Sequence, residues 1–155
     1  MLDRLRHFLR YDDWANRRAI ESVRTVPAAN AKALRPLAHL LIAELGWLER
    51  MLGDNTRSAF WPAMSLDECI ALADELQAKW SDFVAGSTED AGGVVVSYRN
   101  SRGEPFHTPQ HEIFAHLLTH GAHHRGQVLH LVREEGGAPI TTDYIVFVRE
   151  VEQQP

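Results

Sequence analysis

Apolar residues recur along most of this chain at intervals of three and four, the spacing of one face of an α-helix. From Leu2 to about Arg24 they fall at Leu5, Phe8, Leu9, Ala15 and Ala19, predicting a first helix that Pro27 and Asn30 separate from the next. A second helix is predicted from about Ala31 to Leu52, where Leu34, Leu37, Leu41, Leu45, Leu48 and Leu52 form a heptad-like stripe and Gly53 sits at the C-cap. Asp54 to Met64, with Trp61-Pro62, is a connection too long for a tight turn. Ser65 followed by Glu68 has the spacing of a capping box and opens a third helix ending near Gly86, with Leu66, Ile70, Ala73, Leu76, Trp80 and Phe83 at helical spacing.

The pattern then changes. Between Gly92 and His107, Val94-Val95-Val96 and Tyr98 favour extended chain, and Asn100-Ser101-Arg102-Gly103 reads as a turn, so a short hairpin is expected. Thr108 and Pro109 are expected to start a fourth long helix, with Pro109 at its first position, reaching Glu135 and stopped by Gly136-Gly137. Thr141-Thr142-Asp143 caps a last short helix through Val151. The fold class that follows is all-α: a four-helix bundle with a hairpin-like insertion before the last long helix, in a single domain spanning residues 1–155.

Composition narrows the partners. With 45% hydrophobic and 24% charged residues, a net charge of -5 and Lys and Arg dispersed, nothing forms a basic nucleic-acid stripe or a polybasic membrane anchor. No window has transmembrane length, and Asp3, Arg4, Arg6 and Arg10 interrupt any signal-peptide core, so a cytoplasmic location is expected. Cys69 is the sole cysteine; it excludes an internal disulfide and reads as a small buried hydrophobe.

Histidine is the outlier, at nine residues, six of which (His107, His111, His116, His120, His123 and His124) fall within eighteen positions. In HEIFAHLLTHGAHHRGQVLHL, Ile113, Leu117, His120, His124, Val128 and Leu131 share one broad helical face. His120 and His124 thus occupy positions of a core stripe, and two imidazoles at i and i+4 can converge on one metal ion. Two hydrogen-bonded histidines at a helix interface would look the same. His116 and His120 have the same spacing, whereas His116 and His124 are about 12 Å apart along the axis and cannot share an ion. Spacing leaves the choice of pair open. A third ligand must come from another helix, and only His7 and His39 lie outside the second half of the chain. His39 has the roomier setting, since Ile42, Ala43 and Gly46 share its face, yet it points away from the main leucine stripe.

Four segments together resemble the DinB family of bacterial proteins, related to YfiT-like metalloenzymes: YDDWANRR at Tyr11–Arg18; His39 through Ala43-Glu44 to Trp47-Leu48-Glu49; HLLTHGAHHRGQV at His116–Val128; and Pro139 with Asp143 and Tyr144. The resemblance implies a four-helix bundle holding a divalent metal ion, zinc or nickel, on His39, His120 and His124. His116 then falls to a supporting role, and His123 is expected at the surface. The resemblance also implies a homodimer, a small-molecule substrate and, as in relatives that are transferases and isomerases, a low-molecular-weight thiol; other relatives are hydrolases.

Three histidines leave an open position for water, whose pKa a divalent ion lowers to about 7, or for a thiolate. The expected function is a metal-dependent transferase or hydrolase; the alternatives are a non-catalytic metal-binding or stress-response protein and, more remotely, a metal-free histidine pH switch. Among supporting residues, Gly121 and Gly126 are expected to admit close helix approach, Arg125 to form a buried ion pair, and Gln127 to share the metal-side face. Trp14, Asn16 and Trp47 are candidate pocket walls, and Asp143 a helix cap or a partner of the ligands.

Overall fold

The computed structural model describes residues 2–27, 31–57, 59–88, 93–100 and 102–153, so the expectations placed on Asn30, Gly92 and Ser101 lie outside the described residues. Most of the described chain is helical, with one small sheet. Helix α1 (Leu2–Arg24) buries Leu5, Ala15, Ala19 and Val23, the stripe that helical periodicity requires.

Helix α2 (Leu34–Met51) begins three residues later than the apolar pattern implies. Ala31 to Ala33 form turns instead, and the helix has no side-chain N-cap of its own. Glu135 supplies one from the far end of the chain: its carboxylate accepts the Lys32 N–H at 2.8 Å and the Ala33 N–H at 3.3 Å. An anion there also complements the positive end of the helix. At the other end Gly53, at φ +90°, accepts the left-handed conformation that ends the helix. The leucine stripe is buried from Leu37 to Leu48, whereas Leu52 is 64% exposed.

Helix α3 (Leu66–Ala85) starts with the capping box expected of Ser65 and Glu68, both reciprocal bonds being present, and ends at Gly86. Strands β1 (Val95–Arg99) and β2 (Pro105–Pro109) form the antiparallel hairpin, with Tyr98 opposite Phe106. Asn100 organises its turn by accepting the Arg102 and Glu104 N–H groups through its side-chain oxygen, and Gly103 takes φ +80°. Helix α4 (Gln110–Glu134) follows directly. Thr108 and Pro109 therefore belong to the strand rather than opening the helix: the ladder holds them extended, and Pro109 is the residue before the first helical turn. A short helix α5 (Tyr144–Phe147) runs into a π-helical turn, Val148–Glu152. Asp143 occupies the N-cap position of α5 without a side-chain capping bond.

Helix α2 packs against α4 and α3, α1 packs against the same two, and the hairpin rests on α2 and α4. Because α2 is enclosed by α3, α4 and the hairpin, every residue from Pro36 to Gly46 is buried. The core formed by Leu37, Leu41, Leu45, Leu72, Leu76, Ile113, Val128 and Val132 thus surrounds α2. Cys69 is fully buried within it, and that burial raises its thiol pKa to about 11. No helix among the described residues is long and apolar enough to cross a membrane.

Candidate metal centre

The facing surfaces of α2 and α4 carry three imidazoles to one point. The ring centroid of His39 lies 4.5 Å from that of His124 and 5.2 Å from that of His120, and those two are 4.4 Å apart. One ring nitrogen from each can be chosen so that all three lie within 4.8 Å of one another. That is close enough for a shared ion, and neutral imidazole suits several first-row divalent metals.

Two of the rings are already oriented. His39 Nδ1–H donates to the carbonyl of Phe60. His124 Nδ1–H donates to Gln127 Oε1 at 2.8 Å. Each bond fixes a ring and its tautomer, leaving Nε2 with its lone pair for an ion, as partners behind metal-ligating histidines do. His39 is further held by the Trp61 indole, stacked at 3.7 Å with only 2° between the planes. Phe60 itself packs on Gly46, where an added Cβ would come within 2.5 Å of its ring. The glycine sharing a face with His39 therefore seats the residue that orients it.

Two further histidines, His116 and His123, lie beside this cluster. His116 is exposed on its outer side, with its ring 5.3 Å from Trp47 and 5.1 Å from His120. His123 is exposed and meets Gln127 at 3.1 Å. His7 bonds Tyr144 at the C-terminal segment, and His107 bonds Ser97 on the hairpin, so neither belongs to the cluster. Gly121 does sit at a tight approach, since a Cβ would fall 2.9 Å from Arg125 Nη1 and 3.0 Å from Asp12 Oδ1. Gly126 does not: it faces open space on the outer side of α4. Trp47 lines the pocket beside His39 and His120, whereas Trp14 packs on Phe147 and Arg18.

Arg125 forms the expected buried ion pair, donating to Asp12 at 2.7 Å and to Asn16 Oδ1 at 2.8 Å. Asn16 passes the network on to Glu44 at 3.0 Å, and Trp80 donates to the other Glu44 oxygen at 2.6 Å. Burial, then the neighbouring Asp12 charge, raises the Glu44 pKa well above the carboxylate range. The sequence pattern gave no sign of Glu44, Trp80 or Asp12 as partners, because they come from three helices.

A cavity of about 310 Å³ opens beside the histidines, bounded by His39, His120, Trp47, Phe60, Tyr98 and Phe106. A larger one, about 380 Å³, lies between α1 and α3 with Leu9, Leu76 and Trp80 in its walls, but no histidine reaches it. The smaller cavity is the one next to the histidine cluster.

Burial, followed by repulsion from His124, His116, His39 and His123, pushes the His120 pKa down to about 3. His124 is lowered too, chiefly by burial. Both rings are thus neutral, and able to bind metal, at ordinary pH. An unfolded histidine titrates near 6.5, so between pH 6.5 and 3 the unfolded chain takes up a proton that the folded chain refuses at His120. The stability of metal-free protein is therefore expected to be complete above about pH 6.5 as far as His120 is concerned, and to fall as pH drops toward 3. Glu44, with its raised pKa, acts in the opposite sense, so the comparison should be with His120→Gln. Urea unfolding at a series of pH values should give a smaller loss in the variant; equal slopes would refute the assignment.

The model of the DinB family matches residues 1–154 of this chain. The chain is also similar to the protein named DinB of Bacillus subtilis (strain 168), at 23% identity over 155 residues, covering 89% of this chain and 90% of that protein.

Proposed function

Since this chain belongs to the DinB family, we propose that it is a metal-dependent enzyme in which His39, His120 and His124 hold one divalent ion, zinc or nickel, and the adjoining cavity receives a small molecule. The observation that carries this reading is the convergence of three imidazoles, two of them oriented through Nδ1, with His39 and His120 bordering that cavity. The donor set fits the ion. We read the four long helices as a four-helix bundle whose α2–α4 seam is the site.

A divalent ion held only by neutral ligands keeps its full charge and supplies Lewis-acid activation of a water or a thiol. The protein's own part is to fix the rings, exclude bulk water along the Trp47 and Trp61 side and orient the substrate. Thiol chemistry would need an external thiol, because Cys69 is enclosed in the core. Thiol-dependent transfer and hydrolysis of a small molecule are the two reactions this arrangement serves.

Elemental analysis of purified protein should give close to one divalent ion per chain. The cobalt-substituted protein should change its visible spectrum on addition of a low-molecular-weight thiol, and Gln127→Ala should lower metal affinity roughly tenfold by releasing the His124 ring. A saturated ion whose spectrum ignores thiol and other added ligands would make this a storage or sensing site instead. Protein that binds no divalent ion would end the proposal.

A further inference from the structure

Arg50 lies in the last turn of α2, where a basic side chain ordinarily extends into water. Here it turns inward and is only 8% exposed. Its guanidinium sits 5.0 Å from the Trp47 ring, 5.0 Å from Phe60 and 5.7 Å from Tyr98. Those rings satisfy the faces of the cation but not its in-plane N–H groups. Its hydrogen bond within the described chain is a long one, 3.4 Å from Nη1 to the Gly46 carbonyl. No carboxylate among the described residues lies within ion-pair reach. Glu49, its neighbour in sequence, is already gripped by Arg57 through two bonds of 2.6 Å.

Burying a cation without a counter-charge is costly, and such groups are normally paired. Arg125 demonstrates the paired arrangement in this same molecule, with Asp12 against it. Arg125 Nε is also sealed away without a partner, whereas no nitrogen of Arg50 is both sealed and unpartnered. The remaining donors of Arg50 are thus not sealed off, and Arg50 lines the same cavity that His39 and His120 border. Burial also holds its pKa below the usual arginine value, with Tyr98 and Glu49 opposing that shift.

We infer that Arg50 is the anion-recognition residue of this cavity, taking the carboxylate of a small molecule whose apolar part lies along Trp47, Tyr98 and Phe106 and whose other end reaches the three histidines. A single guanidinium balances one negative charge, and its planar fork matches a carboxylate. The Gly46 carbonyl to which Arg50 folds back is seven residues along α2 from His39, about 10 Å at the rise of an α-helix. The carboxylate is thus several bonds away from the atom presented to the ion, with an unbranched or aromatic stretch between. The assignment of that second end rests on the metal-dependent reading above; the carboxylate subsite does not.

The test uses full-length protein stripped of metal, titrated with phenylalkanoates from phenylacetate to 5-phenylpentanoate and with the matching neutral amides, read by calorimetry and by tryptophan fluorescence. Wild-type protein should bind at least one carboxylate about tenfold more tightly than its amide. Arg50→Gln should erase that preference. Arg50→Lys, the variant to rely on if glutamine impairs folding, should weaken it because a point charge replaces the fork. Equal affinity for acid and amide, no binding of any member, or a preference undiminished in these variants would overturn the inference. Metal content is measured separately: Arg50→Gln should still take up one divalent ion, and protein that takes up none would discredit the metal reading while leaving the carboxylate titration to decide this one.

Discussion

Replacing His124 by alanine is expected to lower divalent-metal affinity by two orders of magnitude or more, with the helical content unchanged. Zinc held by four protein ligands is worth on the order of 10–16 kcal/mol, so each ligand contributes roughly 3 kcal/mol, and a three-ligand site has none to spare. His124 is buried, oriented by Gln127 and closest to both other rings, so its loss leaves two imidazoles that no third side chain in the cluster can complement. His116 cannot replace it, since its ring packs against Trp47 on the far side of His120. Elemental analysis, metal titration and circular dichroism of His124→Ala, alongside His39→Ala and His120→Ala, make the measurement. Any of the three retaining wild-type affinity would remove that residue from the site. If catalysis persists in fully stripped protein, the enzymatic reading fails with it.

The largest loss of stability should come from a different place. Arg125 is fully buried, and Asp12 beside it is nearly so. Breaking such a pair from one side costs about 3–5 kcal/mol, because the remaining charge has neither water nor a partner. Asp12→Ala would leave the guanidinium in that state, with one escape: the Glu44 carboxyl, two hydrogen bonds away through Asn16, can supply the negative charge as substitute. Removing Asp12 also removes a main reason for the raised Glu44 pKa, the neighbouring negative charge. The single variant should therefore lose about 3 kcal/mol, and Asp12→Ala with Glu44→Gln should lose more, in urea unfolding at neutral pH. Asp12→Leu with Arg125→Met should recover much of the deficit, since an apolar pair of similar volume carries no desolvation cost. A loss below about 1 kcal/mol in the double Asp12 and Glu44 variant would mean that the pair is far better solvated than its burial implies.

The sequence was most informative where one helix face differs from the other. The apolar periods located α1 and α3 to within a residue or so, and Ser65 with Glu68 marked a capping box that is present in full. In α4 the periodicity put His120 and His124 on the apolar stripe, but His116 and His120 have the same spacing, and the family resemblance chose between the pairs. His39 was not selected by the same logic. A helix enclosed on all sides has no polar face to contrast with, so one buried histidine among leucines carries no directional signal. Family resemblance, rather than periodicity, singled it out.

Other features depended on long-range contacts. Leu52 continues the leucine stripe in sequence but lies past the end of its helix, in the turn before Gly53, where the stripe no longer meets a neighbour. The delayed start of α2 follows from a cap donated by Glu135, more than a hundred residues away. Arg50 reads as an ordinary charged residue near a helix end; its only local hint is Trp47 one turn earlier, on which a guanidinium can stack. Phe60 and Trp61 read as loop filler until the loop is seen to fold back on His39.

That fold-back has a consequence for how an ion would be taken up. The segment carrying Phe60 and Trp61 is anchored by Arg57 on Glu49 and by an aromatic ring against Gly46, none of which involves a metal. The entropy of ordering this stretch is therefore spent when the chain collapses, not when a cation arrives. Small zinc modules behave in the reverse way, gaining their structure from the metal. Here a chelator should empty the receptor and leave the scaffold standing, and reloading should proceed at the pace of ligand exchange rather than of refolding.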